Sequence, residues 1–179
     1  MREDIQEILF DEEALSNKIN ELGKQISNDY KGKELVVVGI LKGSVIFAAE
    51  LLKNISIPCE IDFMAVSSYG NSTESSGVVR ILKDLDHSVE GKDILLVEDI
   101  VDSGVTLSYL LKYLKARKAN SIEIVSLLNK PARRKAELDV KYIGFGVPDA
   151  FIVGYGIDYA EKYRNLPFIG TLKPEVYEK

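Results

Sequence analysis

The run Ile94-Leu95-Leu96-Val97-Glu98-Asp99-Ile100-Val101-Asp102-Ser103-Gly104-Val105-Thr106 constrains the chain more than any other stretch, because it sets four consecutive apolar residues directly before three carboxylates and a glycine-containing turn. An unbroken apolar run of strand length fits a strand covered on both faces, as in a parallel sheet. The acids mark where that strand comes out toward solvent at the C-terminal edge, the edge at which open α/β sheets hold ligands. Beyond the turn, Leu107, Leu110, Leu111 and Leu114 recur at helical spacing and predict a helix from about Gly104 to Lys118.

Other segments repeat this alternation. Leu15, Ile19, Leu22 and Ile26 make a helical stripe over Asp11 to Asp29 that suits packing on a sheet. Leu35 to Ile40 reads as a central strand, followed by the tight turn Leu41-Lys42-Gly43-Ser44 and an apolar helix through Leu52. Further strands are expected at Ile57–Val66, Val78–Leu82, Ile122–Leu128, Val140–Phe145 and Phe151–Tyr155, and the polar, glycine-flanked stretch from Ser67 to Gly77 reads as a mobile loop. The closing Thr171-Leu172-Lys173-Pro174 carries no clear signal. Strands alternating with helices over short connections imply right-handed crossovers, hence an α/β fold with a mostly parallel central sheet flanked by helices. No linker or composition shift divides the 179 residues, so a single domain is expected.

Composition removes several kinds of chemistry. A single cysteine, Cys59, excludes an internal disulfide and a multi-cysteine metal site, and a single histidine, His87, leaves no basis for a histidine zinc site or a histidine-based triad. Both residues read as bland. An excess of 28 acids over 23 bases argues against nucleic acid as a partner, yet an acidic pocket still holds a polyanion when a divalent cation sits between them. The acidic start Met1-Arg2-Glu3-Asp4 is no signal peptide and no apolar run approaches the roughly 20 residues of a membrane span, so a soluble, cytoplasmic protein with no membrane partner is expected.

In the Asp102–Thr106 turn, Gly104 lets backbone N–H groups point inward at the positive end of a helix, while Ser103 and Thr106 add hydroxyl donors. That suits a phosphate monoester, although the absence of a lysine separates the turn from the Walker A loop. A helix cap would account for one acid or one hydroxyl there. It would not account for Glu98 and Asp99, which repel each other unless cations or hydroxyls satisfy them. At a frayed strand end both can turn toward one ligand, such as the vicinal diol of a ribose or its magnesium, and a ribose 5-phosphate then spans diol site and phosphate turn.

Val97 to Thr106 resembles the phosphoribosyl-pyrophosphate motif of the type I phosphoribosyltransferases, most nearly that of their hypoxanthine-guanine branch. Four further segments resemble the same family in its own order. Leu41-Lys42-Gly43-Ser44 is similar to its pyrophosphate loop, Ser68-Tyr69 to its mobile lid, Lys130 to its purine-reading lysine, and Pro148 to Tyr159 to its base-binding segment. The resemblance runs from about Val36 to Leu172 and implies one phosphoribosyltransferase domain over 1–179, with a small hood made by the terminal segments over the C-terminal sheet edge.

It also implies the reaction: displacement of pyrophosphate from C1 of phosphoribosyl pyrophosphate by N9 of a 6-oxopurine, with Mg2+ as cofactor. Glu98 and Asp99 would hold the ribose hydroxyls and a metal, Asp158 a second metal, and Arg164 the pyrophosphate. Asp102 would face purine N7 as general acid or base, and Ser103, Gly104, Val105 and Thr106 would take the 5-phosphate. Lys130 would donate to the 6-oxo group, which disfavours a 6-amino purine because donor would then face donor. Phe151 would stack on the base and the Ile152 backbone would read its edge. Lys42 and Gly43 would offer backbone N–H groups to pyrophosphate, and Tyr69 would be the large side chain of a closing lid; the family often has a cis peptide before that lysine, a point on which the sequence alone is silent. A homodimer or homotetramer is implied, without a sequence feature that chooses between them.

Two positions depart from some relatives: Ser67 stands where a lysine occurs, and Val105 where a basic residue occurs, so less local positive charge is available and greater dependence on magnesium is expected. Arg133, Arg134 and Lys135 read as a solvated face. A transferase for another base, xanthine above all, is the nearest alternative. A non-catalytic regulator of this fold and a domain phosphorylated on Asp99 or Asp102 are more distant ones. The regulator fits poorly with Asp102, Lys130 and Asp158 all present and no basic stripe, and the phosphorylated domain leaves the Lys42-Gly43 turn and the Phe151 segment unused.

Overall fold

The computed structural model describes residues 1–68 and 79–178. Helix α1 (Glu12–Asp29) begins where the Asp11 side chain accepts a hydrogen bond from the Ala14 N–H at 2.8 Å, and acids in its first turn suit the positive helix end. Its stripe Leu15, Ile19, Leu22 and Ile26 is buried. Strand β1 (Ile5–Phe10) precedes it, and β2 (Leu35–Leu41), α2 (Val45–Lys53), β3 (Cys59–Ser68) and β4 (Val79–Lys83) follow. Then come β5 (Asp93–Val101), α3 (Val105–Ala116), β6 (Ser121–Asn129), β7 (Tyr142–Gly146), β8 (Ile152–Val153), β9 (Ile169–Leu172) and the terminal turn α4 (Pro174–Tyr177).

Six strands form the main sheet in the order β4-β3-β2-β5-β6-β7, with every neighbouring pair parallel except β3 with the edge strand β4. Alternation divides its core in two. Leu35, Val37, Leu95, Val97, Val125 and Leu127 face α1 and α2, while Val36, Val38, Ile94, Leu96 and Ile124 face α3 through Leu107, Leu110 and Leu114. Each such fully buried aliphatic side chain contributes about 1.5–3 kcal/mol over leaving it in water. Both faces being covered is what the apolar runs required, and the mostly parallel α/β architecture follows.

A second sheet, β1-β9-β8, joins the two ends of the chain in antiparallel register. Two elements differ from expectation here. The β1 strand went unread because register irregularities between Ile5 and Glu7 and between Ile8 and Phe10 break its period of two. Thr171 and Leu172, which carried no signal, are buried in β9. The strand expected over Phe151–Tyr155 is only Ile152–Val153, because Gly154, Tyr155 and Gly156 all have positive φ (101°, 51° and 103°) and turn the chain away. The lid expected around Ser68-Tyr69 has Ser68 as the last residue of β3; Tyr69 and residues 70–78 lie outside the described residues.

Candidate active site

Strand β5 has neighbours of unequal reach. β2 pairs with it only from Leu35 opposite Asp93 to Gly39 opposite Val97, whereas β6 follows it to Val101 opposite Asn129. From β2 the chain crosses to β3 on one side, and from β5 to β6 on the other, so the β2/β5 border is a topological switch point. The acids are therefore not at a frayed end, as the sequence suggested. Glu98 and Asp99 lie within β5, and the side of them that faces β2 is unpaired because β2 leaves β5 after Gly39 and runs on to Leu41 against β3 alone; the Leu41–Lys42 peptide that follows is cis.

This geometry sets the electrostatics. Glu98 is buried, and its carboxyl is pushed well above the usual carboxylate range, first by burial and then by the negative charge of Asp99. Burial also raises Asp99, opposed by the Ile100 N–H that donates to its Oδ1 at 2.7 Å, by the Glu98 carboxyl and by the positive charge of Arg164. Two negative charges side by side need a cation or hydroxyl donors to satisfy them. All the donor atoms of the pair are carboxylate oxygens, the set that hard divalent cations take. Among the described residues no three acidic, histidine or cysteine side chains converge into a metal cage, so ligand oxygens or water would complete any coordination.

Gly43 packs directly on the Asp99 carboxylate, which occupies the space a side chain there would need, and Gly156 packs as closely on the Gly43 carbonyl. These glycines let the turn after β2, the acidic end of β5 and the 154–164 loop meet. In that loop Arg164 donates to the Gly156 carbonyl at 2.8 Å and pairs with Asp158 at 3.0 Å, while Asp158 Oδ2 accepts from the Glu161 N–H at 2.9 Å. Ala160, Glu161 and Tyr163 hold left-handed backbone, a strained geometry for residues with side chains. Asp158 thus sits near the pair through Arg164 without joining Glu98 and Asp99 in one cluster. The exposed Lys42 ammonium pairs with Glu161 at 2.9 Å, so its side chain points to the 154–164 loop.

At the start of α3 the N-cap is Gly104, with φ of 78°, and Asp102 makes no capping bond; Ser103 Oγ accepts a long hydrogen bond from the Val105 N–H at 3.4 Å, so part of the capping reading holds for Ser103 alone. The Ser103 carbonyl accepts from the Lys135 and Ala136 N–H groups at 2.9 and 3.1 Å, which folds the loop after β6 over the turn. Arg134 was expected on a solvated face and is instead half-buried. It donates to the Asp102 carbonyl at 3.2 Å and to Asn129 Oδ1 at 2.6 Å. The local signal for this is Pro131, whose fixed φ starts a tight turn at the end of β6 and brings the basic run back on the sheet edge.

Two clefts open along this edge and share Ile100 and Asp102. One, of about 270 Å³, is lined by Glu98, Ser103, Gly104 and Thr106 among others. The second, of about 290 Å³, is lined by Lys130, Arg133, Asp149, Phe151 and Ile152 among others. Lys130 is buried, donating to the Ala150 carbonyl at 2.9 Å, and Asp149 bridges it at 3.6 Å to Arg133 at 2.7 Å. Phe151 is partly exposed at the mouth. At the junction, Asp102 Oδ1 is buried with no hydrogen-bond partner among the described residues. An acceptor left bare in this way costs stability unless a ligand supplies a donor.

Comparison with known proteins agrees with this geometry. Residues 6–160 match the family model for the phosphoribosyl transferase domain. The chain is 57% identical over 178 residues to the hypoxanthine-guanine phosphoribosyltransferase of Bacillus subtilis (strain 168), covering 99% of each. It is 55% identical to a bifunctional TilS/HprT protein of Listeria monocytogenes, of which it spans 28%. The crystal structure of a hypoxanthine phosphoribosyltransferase from Staphylococcus aureus superposes with a TM-score of 0.98 at 55% identity, covering 100% of this chain and 97% of that one. A switch-point sheet, a glycine-shaped acidic cleft and a family match over most of the sequence converge on one assignment: the chain belongs to the phosphoribosyltransferase family.

Proposed function

We propose that the protein is a purine salvage enzyme that transfers the 5-phosphoribosyl group from phosphoribosyl pyrophosphate to N9 of hypoxanthine or guanine, giving IMP or GMP and pyrophosphate. The observation that carries this reading is Asp102, whose bare buried oxygen stands where two clefts meet. One cleft has the acids and phosphate turn for a ribose 5-phosphate; the other has a buried ammonium and an aromatic ring for a base.

In the reaction the bond from C1 to the pyrophosphate oxygen breaks, the oxygen keeps its electron pair, and a C1–N9 bond forms. Positive charge grows on the ribose, and the acidic oxygens of the Glu98–Asp99 pair stabilise that charge. Asp102 takes the proton the base releases at N7. The turn from Ser103 to Thr106 fixes the 5-phosphate through backbone N–H groups and hydroxyls at the start of α3, where Val105 contributes its N–H only. Backbone at Lys42 and Gly43, with Arg164, receives the pyrophosphate. Magnesium at Glu98 and Asp99, and a second ion near Asp158, would neutralise charge on the departing group. Lys130 donates to the 6-oxo group, Phe151 stacks on the ring, and the three-stranded sheet acts as the hood over the sheet edge. Ser68 and Tyr69 remain assigned to the lid. The family supports a homodimer or homotetramer in the cytoplasm, and no helix among the described residues is long and apolar enough to cross a membrane.

Purified protein with magnesium, phosphoribosyl pyrophosphate and hypoxanthine or guanine should release pyrophosphate and form the nucleotide. Absence of turnover with every 6-oxopurine overturns the reading. Lys130→Ala should raise KM for the base about tenfold or more while leaving KM for phosphoribosyl pyrophosphate near wild type, since the groups Lys130 holds, the Ala150 carbonyl and Asp149, line the base cleft alone. An equal rise in both would show that Lys130 holds the site together and does not read the base.

A further inference from the structure

Phe151 lies in the loop just before β8 and is only partly covered, so some other group must fix its ring. Two tyrosines do so. Tyr159 meets it edge-on, with centroids 5.2 Å apart and planes at 86°, and Tyr177 lies stacked on it, at 4.8 Å and 25°. Tyr177 belongs to α4, the terminal turn, and also lines the cleft that holds Lys130 and Asp102.

The terminal segment holds Phe151 at a second point. The Leu172 N–H donates to the Phe151 carbonyl at 2.9 Å, and Val176 and Tyr177 pack on the buried cluster of Val153, Phe168 and Leu172. Backbone and ring of one residue are thus tied to the same few residues at the end of the chain. A separation of 4.8 Å leaves no room for a third ring between Phe151 and Tyr177, because two stacking contacts need roughly 7 Å. A base must therefore use the rest of the Phe151 surface, in a cleft whose aliphatic lining includes Ile100, Ile152 and Ile157.

From this clamp we infer that Tyr177 is a positioning residue for the base site: its ring sets the plane of Phe151 and so the plane in which the purine lies. This rests on the proposed function, in which Phe151 stacks on the base. The contact is made by an aromatic face, so the hydroxyl is dispensable and the ring is not.

The test uses the full chain with magnesium, phosphoribosyl pyrophosphate and hypoxanthine, comparing wild type, Tyr177→Leu and Tyr177→Phe. Leucine keeps the apolar packing on the terminal cluster, so folding is preserved while the stack is lost. Tyr177→Leu should raise KM for hypoxanthine about threefold to tenfold, the range expected for one aromatic pair, with KM for phosphoribosyl pyrophosphate and Tm close to wild type. Tyr177→Phe should restore the wild-type value. The inference is overturned by an unchanged KM for hypoxanthine in Tyr177→Leu, by a lowered one, which would make Tyr177 a competitor of the base, or by equal losses for both substrates. It is also overturned if Tyr177→Phe is as impaired as Tyr177→Leu. Wild-type protein without 6-oxopurine turnover is a different failure, since it removes the proposed function itself.

Discussion

A buried carboxylate oxygen without a donor is a liability in the free protein and an asset once a ligand brings an N–H to it, and Asp102 is placed for both. Asp102→Asn separates the two. The amide keeps the size of the side chain and removes a charge, so Tm should stay the same or rise, while turnover should fall about 10²-fold or more because an amide cannot take the proton. A drop in Tm with turnover preserved would make Asp102 a structural residue. Glu98 and Asp102 are legible in the sequence because each interrupts the apolar run of β5, and Lys130 because it follows the end of β6 at the same sheet edge. Arg134 is not, since its partners, the Asp102 carbonyl and Asn129, are defined only when the loop after β6 folds back.

Among elements, the turn after β2 is the most exacting, because it brings backbone against the Asp99 carboxylate with Gly43 at the contact. Gly43→Ala should lower kcat/KM about 10²-fold or more, because a methyl group there forces Asp99 or the turn out of place; near-normal kinetics would show that the turn is free to shift. The connection from β4 to β5 is held differently. Asp84 accepts hydrogen bonds from Tyr113 at 2.5 Å and from Arg117 at 2.8 Å, which fixes this connection to α3. Burial pushes the Asp84 carboxyl up, but the bonds from Tyr113 and the Leu85 N–H, with the Arg117 charge, outweigh it and leave its pKa below the ordinary value. A carboxyl lowered on folding adds stability above its unfolded pKa and loses it as pH falls through the folded one. Asp84→Asn should therefore lower Tm at neutral pH, and the gap to wild type should close below about pH 4. A gap independent of pH would assign the effect to packing. Elements covered on both faces were legible from their apolar runs. The switch point was not, because it depends on which neighbour each strand pairs with, and local pattern carries no such information.

The whole molecule is built on two sheets. The six-stranded sheet carries the acids and the Ser103–Thr106 turn, and the sheet of chain ends carries Ile152 and, beside it, Phe151. Pairing between Ile5 and Leu172, so far apart in sequence, leaves no local trace; only the resemblance to a hooded family suggested that the ends come together. The sheets meet through Phe10 stacked on Phe145 at 4.0 Å and through Ile152, Ile157 and Ile169, which share a core with α1 and β2. At the centre of the smaller sheet, Gly170 lies where an added methyl group would come within 2.8 Å of the Glu7 carbonyl and 2.9 Å of Ile5. Gly170→Ala thus drives β1 from β9 without touching either cleft. If the smaller sheet serves the base alone, KM for hypoxanthine should rise severalfold, on the order of 1 kcal/mol of misplaced contact, with KM for phosphoribosyl pyrophosphate nearly unchanged. Amide exchange should quicken in residues 5–10 and 169–172 while β5 and β6 stay protected. If both KM values rise together and β5 loses protection as well, the shared core transmits the displacement, and the two sheets bind their ligands as one unit.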